Sequence, residues 1–230
     1  MPTIVFASPK GGTGKSTSAI LLSTELAARG TSVTLIDADP NHPLSSWAKR
    51  PNKPANLTVL SDVTEDTIID TIEDAATRTP FVIIDLEGTA SMMVGYAVSR
   101  ADLVLIPTQG SQLDAAEAVK AVRLIKRQEK AFNRKIPFAV LLTRTSAAIR
   151  PRSLHSIETE FAENGVPVLT TQLHERDAYK ALFAFGGGLV TLDPAQVTNI
   201  PAALANARAF TAEVIAALLS QSAKQVEEVA

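Results

Sequence analysis

Short apolar runs alternate along the chain with longer segments in which apolar residues recur every three or four positions. Several runs are almost continuous Val, Ile, Leu and Phe, which is typical of strands in a parallel sheet that helices cover on both faces. The runs are Thr3–Ser8, Ser32–Asp37, Leu57–Leu60, Phe81–Asp85, Leu103–Pro107, Phe138–Thr143 and Val166–Leu169. We therefore predict seven strands in a parallel sheet.

The segments between these runs are long enough for the helices that connect parallel strands. The predicted helices are Lys15–Arg29, Glu65–Thr77, Ala90–Ser99, Leu113–Phe132, Arg152–Asn164, Asp177–Phe185 and Ala202–Ser220. This alternation predicts a single three-layer α/β domain over residues 1–230. The segment Asn41–Asn56 is rich in Pro and Asn, which predicts a loop with a short helical turn around Trp47. The tail, Ser222–Ala230, is expected to fray.

Composition excludes several classes of protein. Hydrophobic residues make up 46% of the 230 residues, which is enough for one sizeable core and excludes a disordered chain. The absence of cysteine excludes disulfides, thiolate zinc sites and cysteine-ligated iron–sulfur clusters. The three histidines, His42, His155 and His174, are widely spaced and form no metal-binding motif.

The sequence predicts neither a targeting signal nor a membrane span. The N-terminus enters an apolar strand directly, without the basic region and the long apolar region of a signal peptide. We find no window with the roughly 18 uncharged apolar residues that a bilayer span needs. We therefore expect a cytoplasmic protein.

The segment between the first strand and the first helix has the composition of a phosphate-binding loop. It covers Pro9–Thr17 and has the sequence PKGGTGKST. Glycines let successive backbone N–H groups converge on phosphate oxygens, and the start of the helix adds its positive end. In such a loop Lys15 reaches the β- and γ-phosphates, Ser16 ligates Mg²⁺ and Thr17 lies near the α-phosphate. The predicted cradle also contains Gly11, Gly12, Thr13 and Gly14.

One departure from the general loop pattern is informative. The chain has Pro9 where that pattern has glycine, and it carries an additional lysine, Lys10. This box resembles the deviant Walker A box of the ParA/MinD family of P-loop ATPases. The resemblance implies a P-loop NTPase fold with a mostly parallel twisted sheet flanked by helices, ATP and Mg²⁺ as cofactors, and face-to-face dimerisation on ATP. It also implies that Lys10 reaches the nucleotide held by the other subunit.

Two aspartates follow the second strand, in the sequence LIDADP over Leu35–Pro40. Carboxylates at the C-terminal edge of a parallel strand face the ligand crevice. The resemblance implies that Asp39 orients the attacking water and that Asp37 lies close to the magnesium ion. The alternative is that both aspartates only cap a turn. The predicted catalytic residues are Lys10, Lys15 and Asp39.

The fourth strand has the pattern of a Walker B strand, since four apolar residues precede Asp85. Asp85 is expected to hold Mg²⁺ through water, so the predicted metal residues are Ser16, Asp37 and Asp85. The sequence DLEG over Asp85–Gly88 has a D-x-x-G form in which a glycine N–H senses the γ-phosphate. The ParA/MinD family more often continues with prolines, which leaves the role of Glu87 open, including that of a solvated loop acid.

The resemblance extends by motif from Thr3 to about Thr108 and more loosely to Leu192. The run LHERDA over Leu173–Ala178 is similar to the VirC-type branch, whose ParA-like ATPases assist T-DNA processing and transfer. The family builds part of its adenine pocket there, and His174 and Arg176 fit either such a pocket or a surface loop. The chain begins at the first strand, so it resembles the small ParA type without an N-terminal helix-turn-helix domain.

Positive charge is concentrated in one part of an otherwise acidic chain. The formal net charge is −2, but residues 116–152 contain ten Lys and Arg against two Glu. Half of these cations lie on the long predicted helix Leu113–Phe132. The patch either neutralises phosphates of duplex DNA or is a solvated helix face. The predicted DNA contacts are Lys120, Arg123, Lys126, Arg127, Lys130, Arg150 and Arg152.

These features together predict a ParA-like DNA-partition ATPase. With ATP it is expected to form a homodimer that binds non-specific duplex DNA at the nucleoid. A centromere-binding (ParB-like) or relaxosome protein then stimulates its slow hydrolysis. A VirC-like helper of conjugative or T-DNA transfer and a metabolic P-loop ligase or kinase are the alternatives. A MinD-type membrane switch is disfavoured, because Ala212–Ala230 carries three Glu against Lys224 alone.

Overall fold

The computed structural model describes the backbone of residues 1–88, 91–149 and 151–229. It describes the side chains of the same residues except 152, 222 and 224–229. Within these residues the chain forms one seven-stranded sheet with helices on both of its faces.

All strand pairs in the sheet are parallel, and their order is β3-β2-β4-β1-β5-β6-β7. The strands are β1 (Thr3–Phe6), β2 (Val33–Ala38), β3 (Leu57–Leu60), β4 (Phe81–Leu86), β5 (Leu103–Gln109), β6 (Phe138–Thr145) and β7 (Leu173–His174). The central strands β1, β2, β4 and β5 are buried almost throughout, as expected of near-continuous apolar runs covered on both faces. This arrangement confirms the predicted three-layer P-loop NTPase fold.

Among the described residues, eight helices cover the sheet and divide the core in two. They are α1 (Lys15–Ala28), α2 (Pro43–Ala48), α3 (Ile68–Arg78), α4 (Met92–Ser99), α5 (Gln112–Phe132), α6 (Arg152–Glu163), α7 (Asp177–Phe185) and α8 (Ile200–Val229), with a 3₁₀ turn at Leu189–Thr191. Helices α1 to α6 connect consecutive strands, and α7 and α8 follow β7. Helices α1, α2, α7 and α8 contribute to the apolar cluster on one face of the sheet. Helices α3, α4, α5 and α6 contribute to the cluster on the other face.

The short helix α2 confirms the predicted turn around Trp47. The indole ring is almost fully buried, and its Nε1–H donates a hydrogen bond to the Gly187 carbonyl at 3.1 Å. This contact attaches the loop after β2 to the segment after α7.

The prediction of a strand at Val166–Leu169 is wrong. Only Val168 in this run bridges to β6, at Val140, and the seventh strand is Leu173–His174. Pro167 has no N–H to donate to a ladder. The following amides, of Thr170 and Thr171, donate instead to the Glu213 carboxylate of α8, at 2.6 and 2.7 Å.

Helix α8 is longer than predicted. Its backbone continues to Val229, through the segment that the sequence predicts to fray, while Ala230 lies outside the described residues. By length and composition alone, Ile200–Gln221 could cross a membrane, with a mean hydropathy of 1.4, although it carries Arg208 and Glu213 and so is not the uncharged apolar window considered in the sequence. In the fold, however, Phe210 and Val214 are fully buried in the same core cluster as α1.

We expect Phe210→Ala to destabilise the protein by about 3–5 kcal/mol, because it removes a fully buried aromatic side chain from the α1–α8 layer. The matched control is Leu219→Ala on the same helix, where the side chain is largely exposed and the expected change is below about 0.5 kcal/mol. Urea unfolding of both variants measures the difference. Equal effects would contradict the assignment of α8 as a core helix.

Candidate nucleotide-binding site

The loop between β1 and α1 has the backbone of an anion cradle. Gly12 and Gly14 have φ values of 75° and 96°, in the left-handed region that favours glycine. Helix α1 begins directly after Gly14 with no side-chain cap and no acidic residue in its first turn. Its first N–H groups therefore remain available to an anion, as the sequence predicts.

Side chains from two other strands hold this loop in place. The Thr143 hydroxyl on β6 donates to the Thr13 carbonyl at 2.7 Å. The Gln109 amide at the end of β5 donates to the Gly12 carbonyl at 2.9 Å. Sequence reasoning missed both residues, because each supports the loop from a strand far away along the chain.

Lys15 is almost fully buried beneath the loop. Its Nζ lies 3.4 Å from the Lys10 carbonyl oxygen. Burial lowers the pKa of Lys15, while the nearby carboxylates of Asp85, Asp39 and Glu87 act in the opposite direction. The ammonium group is thus held close to the position where the loop would place phosphate charge.

Asp37 and Asp85 lie side by side near the C-terminal ends of two neighbouring strands. They are paired residues of the neighbouring strands β2 and β4, and both are fully buried. Asp37 Oδ2 accepts a hydrogen bond from the Ser45 N–H at 2.7 Å. Within the described part of the chain, Asp37 Oδ1 and both oxygens of Asp85 have no hydrogen-bond partner.

The pKa of Asp85 is raised to about 7, and burial is the main cause. The Ser16 hydroxyl and the Lys15 ammonium oppose this rise. Burial also raises the pKa of Asp37, and the N–H of Ser45 opposes it. Two buried carboxyl groups with unpartnered oxygens are costly in an apolar interior unless a cation compensates them.

These residues fit a magnesium ion bound together with a nucleotide. Protein sites for Mg²⁺ commonly supply only one or two carboxylates, and phosphate and water oxygens complete the coordination. Accordingly, no cluster of three or more His, Asp or Glu suited to a metal occurs among the described side chains. Ser16, the second residue of α1, lies beside Asp85, and Asp85 is paired with Asp37 across the strands, so the predicted set Ser16, Asp37 and Asp85 is brought together.

Asp39 lies just beyond β2 in a cleft of about 560 Å³ that the phosphate loop also lines. Its Oδ1 accepts hydrogen bonds from the backbone N–H and the side-chain amide of Asn41, both at 2.9 Å. Asp39 is therefore fixed in orientation while remaining accessible from the cleft. This position suits a carboxylate that orients a water molecule.

The loop after β4 packs directly on the phosphate loop. A Cβ at Gly88 would lie only 3.0 Å from the Gly11 nitrogen and 3.1 Å from the Lys10 carbonyl carbon, so any larger residue would press on the phosphate loop. Glu87 lines the phosphate cleft together with Asp39. The sequence DLEG therefore places its glycine against the phosphate loop.

Lys10 forms an ion pair with a carboxylate of its own chain. Its Nζ lies 2.6 Å from Oδ1 of Asp114, a carboxylate near the start of α5 that is only 4% exposed. The other oxygen of Asp114 accepts a hydrogen bond from the Ser111 hydroxyl. Sequence reasoning missed Asp114, because 104 residues separate it from Lys10 and an Asp in the first turn of a helix is commonplace.

A second cavity adjoins the phosphate loop at Thr17 and Ser18. Its volume is about 320 Å³, and its lining includes the predicted run from Leu173 to Arg176. His174 Nδ1 lies 2.9 Å from the Thr145 hydroxyl, and burial, followed by the charge of Arg176, lowers the pKa of this histidine. The structure therefore places His174 and Arg176 in a pocket beside the loop, with a size and position suited to a nucleobase.

The predicted DNA contacts divide into three groups. Arg123, Arg127 and Lys130 are exposed on α5. Lys120 and Lys126, also exposed, form ion pairs at 2.7 Å with Glu117 and Glu129 of the same helix. Arg150 lies outside the described residues, and so does the side chain of Arg152.

Comparison with known proteins agrees with this geometry. The family model of the VirC1 protein matches residues 1–228. The chain belongs to the VirC1 family. The chain is 48% identical over 210 residues to the protein ParA of Rhizobium radiobacter, covering 91% of this chain and 94% of that protein. It is 32% identical over 187 residues to the protein virC1 of Rhizobium rhizogenes, covering 79% of this chain and 80% of that protein.

A solved structure supports the fold independently. The ATP complex of McdA from Cyanothece superposes with a TM-score of 0.75, covering 93% of this chain and 96% of that one at 17% identity. The expected resemblance to ParA/MinD ATPases with a VirC-type character is thus confirmed. Membership of the VirC1 family places the chain among P-loop ATPases of the ParA type.

We expect Asp85→Asn to change how the stability of the nucleotide-free protein depends on pH. The pKa of Asp85 is about 7 in the folded protein and near 3.8 when unperturbed, so the folded state keeps a proton that the unfolded state releases. Stability contributed by this group therefore falls as pH rises from about 4 to 7. The variant should be more stable than wild type at pH 8, by up to about 4 kcal/mol, and nearly equal at pH 4.

Urea unfolding at both pH values measures this difference. Asp39→Asn is the matched control, because this carboxylate is only half-buried at the same sheet edge. If Asp85→Asn is more stable than wild type by the same amount at pH 4 and at pH 8, the Asp85 carboxyl group is not buried without a compensating charge.

Proposed function

We propose that this chain is an ATP-dependent molecular switch of the ParA type, which dimerises on Mg²⁺·ATP and binds non-specific duplex DNA in that state. A partner protein stimulates its slow hydrolysis of ATP to ADP and phosphate. The observation that carries this proposal is the pair of unpartnered buried carboxyl groups, Asp37 and Asp85, beside an uncapped α1 and the buried Lys15. The 48% identity to a protein named ParA supports it.

Residues of one chain can account for nucleotide binding. The phosphate loop and the start of α1 bind the phosphates, and Lys15 reaches the β- and γ-phosphates. Ser16 would ligate the magnesium ion directly, and Asp85 and Asp37 would hold its water ligands. The ion supplies neutralisation of the charge that develops on the phosphate oxygens. The cavity at His174 and Arg176 accepts the base.

Asp39 is the residue proposed to orient the attacking water. The water oxygen forms a bond to the γ-phosphorus, and the bond from that phosphorus to the oxygen of the β-phosphate breaks. ADP leaves with the electron pair, and the proton lost by the water passes to phosphate oxygen. Asn41 fixes the orientation of Asp39 through two hydrogen bonds, so the carboxylate does not have to be ordered during the reaction.

Dimerisation requires Lys10 to change its partner. In the single chain Lys10 binds Asp114, whereas in the proposed dimer it binds the nucleotide of the facing subunit. Lys10 is 44% exposed, so it can leave Asp114 without rearrangement of the core. The facing triphosphate carries more negative charge than Asp114 and is therefore the stronger competitor for Lys10.

DNA binding is proposed for the exposed lysines of α5, which are Lys120, Lys126 and Lys130, together with Arg150 and Arg152. Arg123 and Arg127 line a separate cleft. A dimer would carry two copies of these cations and so make twice as many phosphate contacts. Because the proposed dimer forms on ATP, the affinity for DNA would depend on ATP. We propose a cytoplasmic, nucleoid-associated location on the same basis.

A VirC-like role in conjugative or T-DNA transfer is the second candidate. The match of the VirC1 family model to residues 1–228 favours it. In this case the ATPase cycle is the same, and the stimulating partner is a relaxosome protein rather than a centromere-binding protein.

The experiment that tests the proposal is binding to a random-sequence DNA duplex with ATP, with ADP and without nucleotide, over a series of salt concentrations. We expect binding only with ATP. If six phosphates are neutralised, the affinity should fall about 1,000-fold between 50 and 200 mM salt. Lys10→Ala is the control variant, because it should bind nucleotide as a monomer but neither dimerise nor bind DNA with ATP.

Two outcomes would refute the proposal. If Lys10→Ala still forms an ATP-dependent dimer, Lys10 is not needed to bind the nucleotide of the facing subunit. A wild-type chain that stays monomeric and binds no DNA in any state would favour the metabolic ligase or kinase, whose turnover depends on a small molecule.

We expect Asp39→Ala to lower the rate of ATP hydrolysis by at least about 100-fold, because the water loses the group that orients it. Since ATP binding is preserved, the variant should accumulate as an ATP-bound dimer. Single-turnover hydrolysis and analytical ultracentrifugation measure the two effects. Asn41→Ala, which removes only one of the hydrogen bonds to Asp39, should have a smaller effect. Hydrolysis at the wild-type rate in Asp39→Ala would contradict this role.

A further inference from the structure

A separate cleft lies between α4 and α5, beside the phosphate loop. Its lining is mostly apolar and includes Pro9, Val94 and Leu124. Its volume is about 280 Å³, slightly below the range of about 300–1,000 Å³ that is usual for small-molecule sites. A cleft of this size suits one or two apolar anchor side chains of a protein partner.

Three cations of α5 line one side of this cleft: Lys120, Arg123 and Arg127. Their spacing of three and four residues places them on one face of the helix. Lys120 is bound to Glu117, but neither arginine has an ion-pair partner among the described side chains. Unpaired arginines around an apolar cleft favour a partner that supplies both carboxylates and an apolar side chain.

The cleft is connected to the phosphate site through Glu87, which lines both cavities. The next residue, Gly88, packs on the backbone of Lys10 and Gly11. A segment bound in the cleft would therefore contact Glu87, whose neighbour Gly88 packs on the phosphate loop. It would also lie beside Lys10, which is proposed to bind the nucleotide of the facing subunit.

We propose that the cleft between α4 and α5 is the docking site for an acidic amphipathic segment of the protein that stimulates hydrolysis. An apolar side chain of this segment fills the cleft, and its carboxylates pair with Arg123 and Arg127. This assigns both arginines to a protein partner rather than to DNA, because duplex phosphates carry no apolar group that fills the cleft. The stimulating effect rests on the proposed function, whereas docking itself requires no ATPase activity.

The test uses a fluorescein-labelled helical peptide of 16 residues, with Leu at every third or fourth position and Glu at the positions that flank the Leu face. Fluorescence anisotropy measures its binding to the full chain with ATP and with ADP. One control peptide carries Lys in place of Glu, and the other carries Ala in place of Leu. We expect the Leu/Glu peptide to bind at least tenfold more tightly than either control.

Variants of the chain then locate the site. Arg123→Glu combined with Arg127→Glu, and separately Leu124→Gln, should each weaken peptide binding at least tenfold. Lys135→Glu makes half of this charge change just beyond α5 and should alter binding less than twofold. Circular dichroism of each variant verifies the fold, and the milder Leu124→Ala replaces Leu124→Gln if the latter does not fold.

Three results would overturn the inference: no binding of the Leu/Glu peptide, equal binding of the Lys peptide, or equal binding by all variants. If the arginine variant instead loses affinity for a 24-base-pair duplex while Leu124→Gln retains it, and the peptide does not bind, the arginines serve DNA. If the wild-type chain binds the peptide but shows no ATP-dependent DNA binding, the proposed DNA-binding switch is refuted and the docking site is supported.

Discussion

The rest of the site depends on the juxtaposition of Asp37 and Asp85, both fully buried, near the ends of neighbouring parallel strands. Parallel strands end at one edge, so adjacent β2 and β4 bring their terminal carboxyl groups together. Neither the sheet nor the neighbouring helices neutralise these groups, although Lys15 and Ser16 lie nearby. The fold is thus arranged around a charge that it does not itself balance, and a bound cation is what makes this arrangement favourable.

The fold and the phosphate site could be predicted from the sequence because their signals are local. Continuous apolar runs predict β1, β2, β4 and β5, and the glycines of the phosphate loop lie within one short segment. The last strand could not be predicted in this way. Val166–Leu169 has the composition of a strand, but Pro167 and the carboxylate of Glu213, which lies on a distant helix, divert the chain from the sheet.

Contacts between distant segments explain what else the sequence missed at the site. Thr143, Gln109 and Asp114 act on the phosphate loop from β6, β5 and α5, respectively, and each is an ordinary residue in its own segment. The charge count located the basic helix but did not show which of its cations are paired. In the fold, Lys120 and Lys126 form ion pairs with Glu117 and Glu129 of the same helix. Arg123 and Arg127 have no such partner among the described side chains and line an apolar cleft.

The contact between Lys10 and Asp114 has a consequence for the resting state of the molecule. When Lys10 leaves, the carboxylate of Asp114 retains only the Ser111 hydroxyl and its own helix start as favourable surroundings. In the proposed dimer, two anions, Asp114 of the same chain and the nucleotide of the facing chain, would compete for the one ammonium group of Lys10. The separated subunit would then be the resting state, and the proposed association would favour the nucleotide with the greater negative charge.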